Sequence, residues 1–253
     1  NNIPSGNFCN TSISIISSNF SDISSSSDGP VIYSDSSQVI GNVSNSTLVN
    51  IDKCRFEALT ALRGNIYFGK RLYYQSMILI NNSIFTNIHA TGEGGVIFIQ
   101  NTTSQISTEN SQSEVDTRRL TETGSPSSFS SSSGDLTEHL MIESCQFTNI
   151  TAESGGIYYN NYSNPEGSIT LSDNIFRQIT ANKWGAVIYT SDPIFAAYDN
   201  SFFDTKASIS GTVIYSDRST FNYSDFQKHN YYDSSVSQPM AFSPNKLDLQ
   251  FKS

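Results

Sequence analysis

The chain has 253 residues, enough for one large domain or two ordinary ones with a substantial core. Its 23 acidic residues outnumber the 14 Lys and Arg, so a phosphate-binding surface would have to form against the overall field, and nucleic acid is not an expected partner. The longest apolar runs, such as residues 77–80, are far shorter than the about 18 residues that indicate a membrane span. Since no N-terminal Met or signal peptide is present either, we expect a soluble mature or excised segment with no direct membrane span.

The first unit of a repeat lies at residues 13–33. Apolar residues alternate with polar ones ahead of Phe20, and Gly29 precedes a second alternating pair, Val31 and Tyr33. This alternation predicts short strands with one buried face, and the glycine predicts a tight corner. Each unit is therefore predicted to contain three short strands, with Val31 and Tyr33 both pointing inward.

The same order recurs five more times along the chain. A column is defined here as the set of equivalent residues in successive units. The main columns are Phe20, Phe56, Phe85, Phe147, Phe176 and Phe202; Gly29, Gly64, Gly94, Gly155, Gly185 and Gly211; Val31, Ile66, Val96, Ile157, Val187 and Val213; and Tyr33, Phe68, Phe98, Tyr159, Tyr189 and Tyr215. A unit of this size cannot bury its apolar face alone, so the units are predicted to stack as coils of a parallel β-helix.

The spacing of 62 residues between Phe85 and Phe147 is one coil plus an insertion. Residues 103–137 are Ser- and Thr-rich and lack apolar periodicity, which predicts a disordered-like low-complexity loop. We predict that residues 1–253 form one all-β solenoid of about seven coils, the seventh starting at Phe226. No stretch shows a sustained 3.6-residue apolar pattern, which argues against a helix-rich fold, whereas an antiparallel sandwich stays open.

The two ends of the predicted stack lack an obvious cap. Residues 1–9 are short and polar, and residues 236–253 contain two prolines and the alternating LDLQF, which could add one edge strand. Unpaired strand edges invite pairing. The expected partners are therefore copies of the chain stacked head to tail into a filament, or flanking domains of a larger surface protein.

The phrase FTNI at residues 85–88 and 147–150, followed by GGV or GGI, resembles the FxxN and GGA(I/L/V) repeats of chlamydial polymorphic membrane protein passengers. It is still closer to β-helix segments of large ciliate surface proteins, because Ile88 and Ile150 stand at the fourth motif position and Asn87 and Asn149 one residue earlier. The resemblance covers about residues 10–226. It implies a right-handed parallel β-helix at the cell surface or outside the cell, with an adhesive or structural role and no catalytic residues, and it leaves cell-surface or matrix partners open.

The main rival interpretation is a carbohydrate-active β-helix enzyme, a polysaccharide lyase or a glycoside hydrolase. Such chemistry requires carboxylates that lie together. Asp173 and Asp199, each three residues before a column Phe, are the best pair, although solvated corner positions are the simpler interpretation. His89, His139 and His229 lie in different contexts and indicate no triad. The chain is predicted to be noncatalytic and to need no cofactor or metal.

Two further surface features are predicted. Trp184 could form a sugar-stacking platform with Tyr158 and Tyr67, placed at outward strand positions. N-linked glycans are predicted at nine N-x-S/T sequons, a number only slightly above chance in so Ser-, Thr- and Asn-rich a chain. The register places all nine outward or in loops, at Asn10, Asn19, Asn42, Asn45, Asn81, Asn101, Asn149, Asn161 and Asn222.

The position two residues before the column Phe is predicted to face inward. Asn174 and Asn200 occupy it and are expected to be buried and hydrogen-bonded to each other or to backbone. Cys54 and Cys145 share the position, but Ser83 intervenes, which sets them about 9.5 Å apart and too far for a disulfide. With Cys9 ahead of the first coil, no intrachain disulfide is expected, and without a CxxC pair or a nearby histidine no zinc site is expected.

Overall fold

The computed structural model describes residues 10–35, 46–71, 76–101, 139–161, 168–191, 194–216, 230–236 and 240–242. In this part of the chain the secondary structure consists of strands and turns, without a helix. The strands of the first three coils are β1 (Asn10–Ile16), β2 (Asn19–Ser21), β3 (Ile32–Asp35), β4 (Ser46–Asp52), β5 (Arg55–Ala61), β6 (Tyr67–Arg71), β7 (Ser76–Asn81), β8 (Ile84–Ala90) and β9 (Ile97–Asn101).

The remaining coils continue the same order. Their strands are β10 (His139–Glu143), β11 (Gln146–Ala152), β12 (Tyr158–Asn160), β13 (Ser168–Ser172), β14 (Ile175–Ala181), β15 (Ile188–Thr190), β16 (Ile194–Tyr198), β17 (Ser201–Phe203), β18 (Lys206–Ala207), β19 (Ile214–Ser216), β20 (Tyr231–Tyr232) and β21 (Met240–Phe242).

The strands form three parallel sheets, and among the described residues each of the first six coils contributes to all three in turn. Sheet A has the order β1-β4-β7-β10-β13-β16, sheet B the order β2-β5-β8-β11-β14-β17-β20, and sheet C the order β21-β19-β15-β12-β9-β6-β3. Each strand pairs in parallel with the equivalent strand one coil away. The chain is therefore an all-β parallel solenoid, and the fold-class prediction is confirmed. Its right-handedness stays a prediction.

The coils before and after the insertion are direct neighbours. Strand β11 pairs with β8 so that Phe147 lies opposite Phe85, and β12 pairs with β9 in the same register. Strand β9 ends at Asn101 and β10 begins at His139. The predicted insertion at residues 103–137 lies outside the described residues. The stack passes from the third coil to the fourth without a gap.

The inward columns of sheets A and B are as predicted. The side chains of Phe56, Phe85, Phe147, Phe176 and Phe202 are fully buried. Their rings stack at centroid distances of 4.6–5.1 Å with interplanar angles of at most 9°. Aliphatic columns from sheets A and B fill the space around them, including Val49, Ile51, Ile78, Ile80, Leu59, Ile88, Ile150 and Ile179.

The seventh coil differs from the prediction. The Phe column continues through Tyr232, which pairs with Phe202 and stacks on it at 5.2 Å. The prediction that Phe226 starts this coil is wrong, because the chain reaches the column six residues later. Phe221, Phe226 and the LDLQF segment lie outside the described residues.

Each of the first six coils turns at three positions of positive φ. The first lies three residues before the column Phe and the second two residues after it, and there non-glycine residues such as Asp173 (φ 56°) and Asn149 (φ 54°) adopt the left-handed conformation. Asp and Asn tolerate this conformation better than other residues with a Cβ. The third position is the glycine column. A Cβ on Gly155 (φ 59°) would lie 2.2 Å from the carbonyl oxygen of Tyr158, so only glycine fits.

Candidate functional site at the outer face of the solenoid

Sheet C carries a row of stacked aromatic side chains on its outer face. In the three-residue strands β12, β15 and β19 the first and third residues are buried and the central aromatic is half-buried. Since side chains alternate across a strand, the central ring must face outward. The prediction that this column points inward is wrong. The outer aromatic ladder consists of Tyr33, Phe68, Phe98, Tyr159, Tyr189 and Tyr215, with adjacent ring centroids 4.6–5.3 Å apart.

Arg63 covers one part of the outer aromatic ladder. Its guanidinium carbon lies 5.4 Å from the ring centroid of Phe68 and 4.8 Å from that of Phe98. Both rings are almost fully buried, whereas Tyr33 at the end of the ladder is 54% exposed. The guanidinium also makes two hydrogen bonds to Asp28, at 2.9 and 2.7 Å, and this contact raises the pKa of Arg63 above its ordinary value. Arg63 therefore joins the first three coils by a cation–π and ion-pair contact.

Trp184 covers the other part of the outer aromatic ladder. It stands in the same column as Arg63, one residue before the glycine, and its ring lies 6.3 Å from Tyr189 and 5.8 Å from Tyr215 in tilted contacts. Trp184 itself is half-buried. The platform predicted from Trp184 with Tyr67 and Tyr158 is wrong, because both tyrosines lie fully buried in the core.

Charged and polar side chains lie beside Trp184. Lys183 donates to Oε1 of Glu153 at 2.8 Å, and Asn182 donates to Oε2 of the same carboxylate at 3.3 Å. The contact with Lys183, helped by Asn182, lowers the pKa of Glu153, and the carboxylate in turn raises the pKa of Lys183. A hydrogen-bonded polar group therefore lies at the two residues that precede Trp184 along the chain and at their partner in the preceding coil.

A buried polar ladder runs through the solenoid at the position two residues before the column Phe. Asn174 and Asn200 are both 1% exposed, and Asn174 Nδ2 donates to Asn200 Oδ1 at 2.9 Å, which confirms the prediction for this pair. Asn200 Nδ2 donates in the same way to Oδ1 of Asn230. Each asparagine also accepts a bond from the backbone N–H of the equivalent residue in the preceding coil.

Ser83, Cys54 and Cys145 continue this buried polar ladder. The backbone N–H of Cys54 donates to Ser83 Oγ at 3.0 Å, and the N–H of Ser83 donates to Cys145 Sγ at 3.4 Å. Both cysteines are buried and free, as predicted, and Cys9 lies outside the described residues. Burial raises the pKa of Cys145 to about 12, so this thiol stays protonated at neutral pH.

The structure places some of the predicted sequon asparagines at the surface. Asn19, Asn149 and Asn161 are exposed. Asn149 Nδ2 donates to Asn87 Oδ1 at 2.7 Å, in the second corner column of sheet B. Asn10 and Asn101 lie at strand ends, which agrees with their predicted places, and Asn42, Asn45 and Asn222 lie outside the described residues.

Asn81 differs from the exposed sequon positions. It is half-buried, and its Oδ1 is shielded from solvent with no hydrogen-bond partner among the described residues. Its sequon hydroxyl, on Ser83, is buried and engaged in the polar ladder.

The residues considered for catalysis lie in structural positions. Asp173 and Asp199 are exposed corner residues of positive φ in successive coils. His89 contacts Thr151 through Nδ1 at 2.5 Å on the outer face of sheet B, His139 begins β10 on sheet A, and His229 lies outside the described residues. Among the described residues, no group of three or more His, Cys, Asp or Glu is placed to hold a metal ion. That part of the chain also contains no long apolar helix of the kind that crosses a membrane.

One family resembles part of this chain. The Chlamydia polymorphic membrane protein repeat matches residues 82–100, which span the turn before β8, all of β8 and most of β9. This agrees with the repeat resemblance seen in the sequence, whereas the likeness to ciliate surface proteins has no support. Neither the curated proteins nor the solved structures contain a significant match to the chain.

Proposed function

We propose that this chain is a noncatalytic β-solenoid scaffold of a cell-surface or extracellular glycoprotein, with a structural or adhesive role. The observation that carries the proposal is the contrast between the two sides of the coils. The inward Phe column and the aliphatic columns of sheets A and B repeat the same residue types from coil to coil, whereas the outward position after the column Phe in sheet B varies, as Glu57, Thr86, Thr148 and Arg177 do. A constant core with a variable outer face on sheet B suits a protein that displays that face.

The matched repeat supports the surface location, because the family that carries it is one of membrane proteins. The placement of Asp173 and Asp199 supports a noncatalytic role. Both residues lie at corners with a left-handed backbone conformation, which Asp adopts more readily than most other residues with a Cβ. The corner conformation therefore accounts for the presence of Asp at these two positions without a role in glycoside hydrolysis.

Copies of the chain, or flanking domains, are proposed to cover the ends of the stack. Among the described residues, β1, β2 and β3 have a neighbouring strand on one side only, and so do β16, β20 and β21 at the other end. Exposed strand edges of this kind favour pairing with another chain. Head-to-tail stacking would be heterologous and could extend into a filament.

Light scattering across a concentration series tests this proposal on residues 1–253 expressed alone. We expect the average mass to rise with concentration if copies stack, because association depends on protomer concentration. A monomer whose end coils exchange their amide hydrogens rapidly would instead support flanking domains as the cover. A strict monomer with both end coils protected from exchange would contradict both forms of the proposal.

Glycan occupancy is predicted to follow the exposure of the sequons. In chain secreted from eukaryotic cells, Asn19, Asn149 and Asn161 should carry glycans, since each is exposed, and a glycosylated Asn149 keeps one amide N–H for Asn87. Asn81 should be empty in the folded protein, because its side chain is half-buried and the Oδ1 next to the glycan-bearing Nδ2 is shielded from solvent. Peptide mapping by mass spectrometry gives the occupancy. Asn149→Gln should remove one glycan and Asn81→Gln none, and a fully occupied Asn81 in folded protein would contradict the assignment.

A further inference from the structure

The Trp184 corner, defined as Glu153, Asn182, Lys183 and Trp184, combines an aromatic ring with hydrogen-bonded polar groups. The four residues come from two adjacent coils, because the N–H of Lys183 donates to the carbonyl oxygen of Glu153 at 2.8 Å. Backbone pairing thus places Glu153 opposite Lys183, the residue that precedes Trp184. The side chains of a binding site keep a more precise geometry when rigid parts of the fold carry them.

Trp184 and Arg63 occupy the same column, but they differ in how far their side chains are already engaged by neighbouring residues. Arg63 is committed to Asp28 and lies over two buried rings. Trp184 is half-buried, its ring leans on Tyr189 and Tyr215, and its indole N–H has no hydrogen-bond partner among the described residues. Trp184 therefore offers both apolar surface and a free donor.

The outer aromatic ladder itself is less suited to stacking a ligand. Its rings are nearly parallel to one another, with interplanar angles of 3–18°, so their faces already contact neighbouring rings. They present mainly edges to solvent. Trp184 is tilted by 36–50° relative to the two rings that it covers, so its plane does not belong to the stack.

The charges at the Trp184 corner decide the class of ligand. The charges of Lys183 and Glu153 cancel, and the negative charge of Glu93 also acts on Lys183. With a net charge of -9 on the whole chain, a polyanionic ligand would be repelled. Hydroxyl groups, by contrast, can accept from Asn182 and Lys183 and donate to Glu153, while an apolar sugar face packs on the indole.

We propose that the Trp184 corner binds one or two sugar units of a neutral oligosaccharide. This inference rests on the adhesive form of the proposed function and gives it a ligand class. The corner is an open surface and not a closed cleft, so the dissociation constant should be weak, on the order of millimolar.

The fluorescence of Trp184 reports directly on this site, because the chain contains a single tryptophan. Residues 1–253 are titrated with cellohexaose, with chitohexaose and with heparin, the last as the polyanionic arm. We expect a saturable change with at least one neutral oligosaccharide and none with heparin. Asn182→Ala, which removes a polar contact and keeps the tryptophan, should weaken the binding at least fivefold.

Leu62→Ala provides the matched control. Leu62 is exposed and stands in the same column as Lys183, three coils away, so its loss should leave the titration unchanged. No saturable change with either neutral oligosaccharide, a response to heparin alone, or full binding by Asn182→Ala would each overturn the proposal. Thermal unfolding of every variant shows whether the solenoid is intact. A binding loss in a folded variant concerns the Trp184 corner alone, whereas loss of the fold would count against the proposed scaffold.

Discussion

Replacing Asn200 by Ala is expected to lower the free energy of unfolding by about 3–5 kcal/mol, because several buried polar groups lose their partners at once. The substitution removes the acceptor of the backbone N–H and Nδ2 of Asn174. It also removes the donor to the carbonyl oxygens of Leu171 and Tyr198. Urea unfolding followed by circular dichroism measures the loss, with the slope m checked for constancy.

Cys145→Ser is the matched control for the buried polar ladder. Serine already occupies the equivalent position at Ser83, where its hydroxyl both accepts and donates. The variant should therefore lose no more than about 1 kcal/mol, since one hydrogen-bonding group replaces another. An Asn200→Ala variant as stable as Cys145→Ser would show that the ladder contributes little.

Replacing Phe147 by Ala is expected to cost about 3–5 kcal/mol for the cavity and the lost transfer free energy. The ring is fully buried and stacks between Phe85 at 4.6 Å and Phe176 at 5.1 Å. The cavity would open where the two halves of the stack meet across the insertion, and neighbouring coils cannot collapse into it without breaking their strand pairing.

Tyr33→Ala is the matched control, because Tyr33 ends the outer aromatic ladder with more than half of its surface exposed. Its loss should change the free energy of unfolding by about 1 kcal/mol or less. Equal losses in Phe147→Ala and Tyr33→Ala, measured by the same urea titration, would contradict the assignment of inner and outer faces.

Periodicity alone was sufficient to predict sheets A and B. Their inward positions keep the same spacing around the column Phe in successive coils, and the predicted inward positions whose burial the structure describes are filled by buried or partly buried side chains. In sheet C, the aromatic column was predicted to face inward, whereas it faces outward. Two consecutive residues, such as Val187 and Ile188, are both buried there, so the alternation shifts by one residue at the corner. Four of the six outer aromatics are followed by a polar residue, as in the buried Asn160 and Thr190, and this hid the shift.

The polar features of the solenoid were predicted in part. The pair Asn174 and Asn200 was found because identical amides stood at an inward position in adjacent coils. The role of Ser83 and the two cysteines in the same ladder was missed, since hydroxyl, thiol and amide replace one another there. Trp184 was singled out from the sequence as a sugar-stacking residue, but its polar neighbours were missed, because only the coil-to-coil hydrogen bonds bring Glu153 next to Lys183.

Disulfide trapping across the insertion tests the solenoid account most directly. Thr86 and Thr148 are outward partners in the paired strands β8 and β11, and Arg177 is the next member of the column. Strand spacing places the first pair about 4.8 Å apart and Thr86 and Arg177 about 9.6 Å apart, and only the shorter distance suits a disulfide. In a Cys9→Ser background, mild oxidation should bridge Thr86→Cys/Thr148→Cys within the chain and leave Thr86→Cys/Arg177→Cys open. A bridge in the second pair, or none in the first, would contradict the continuous stack.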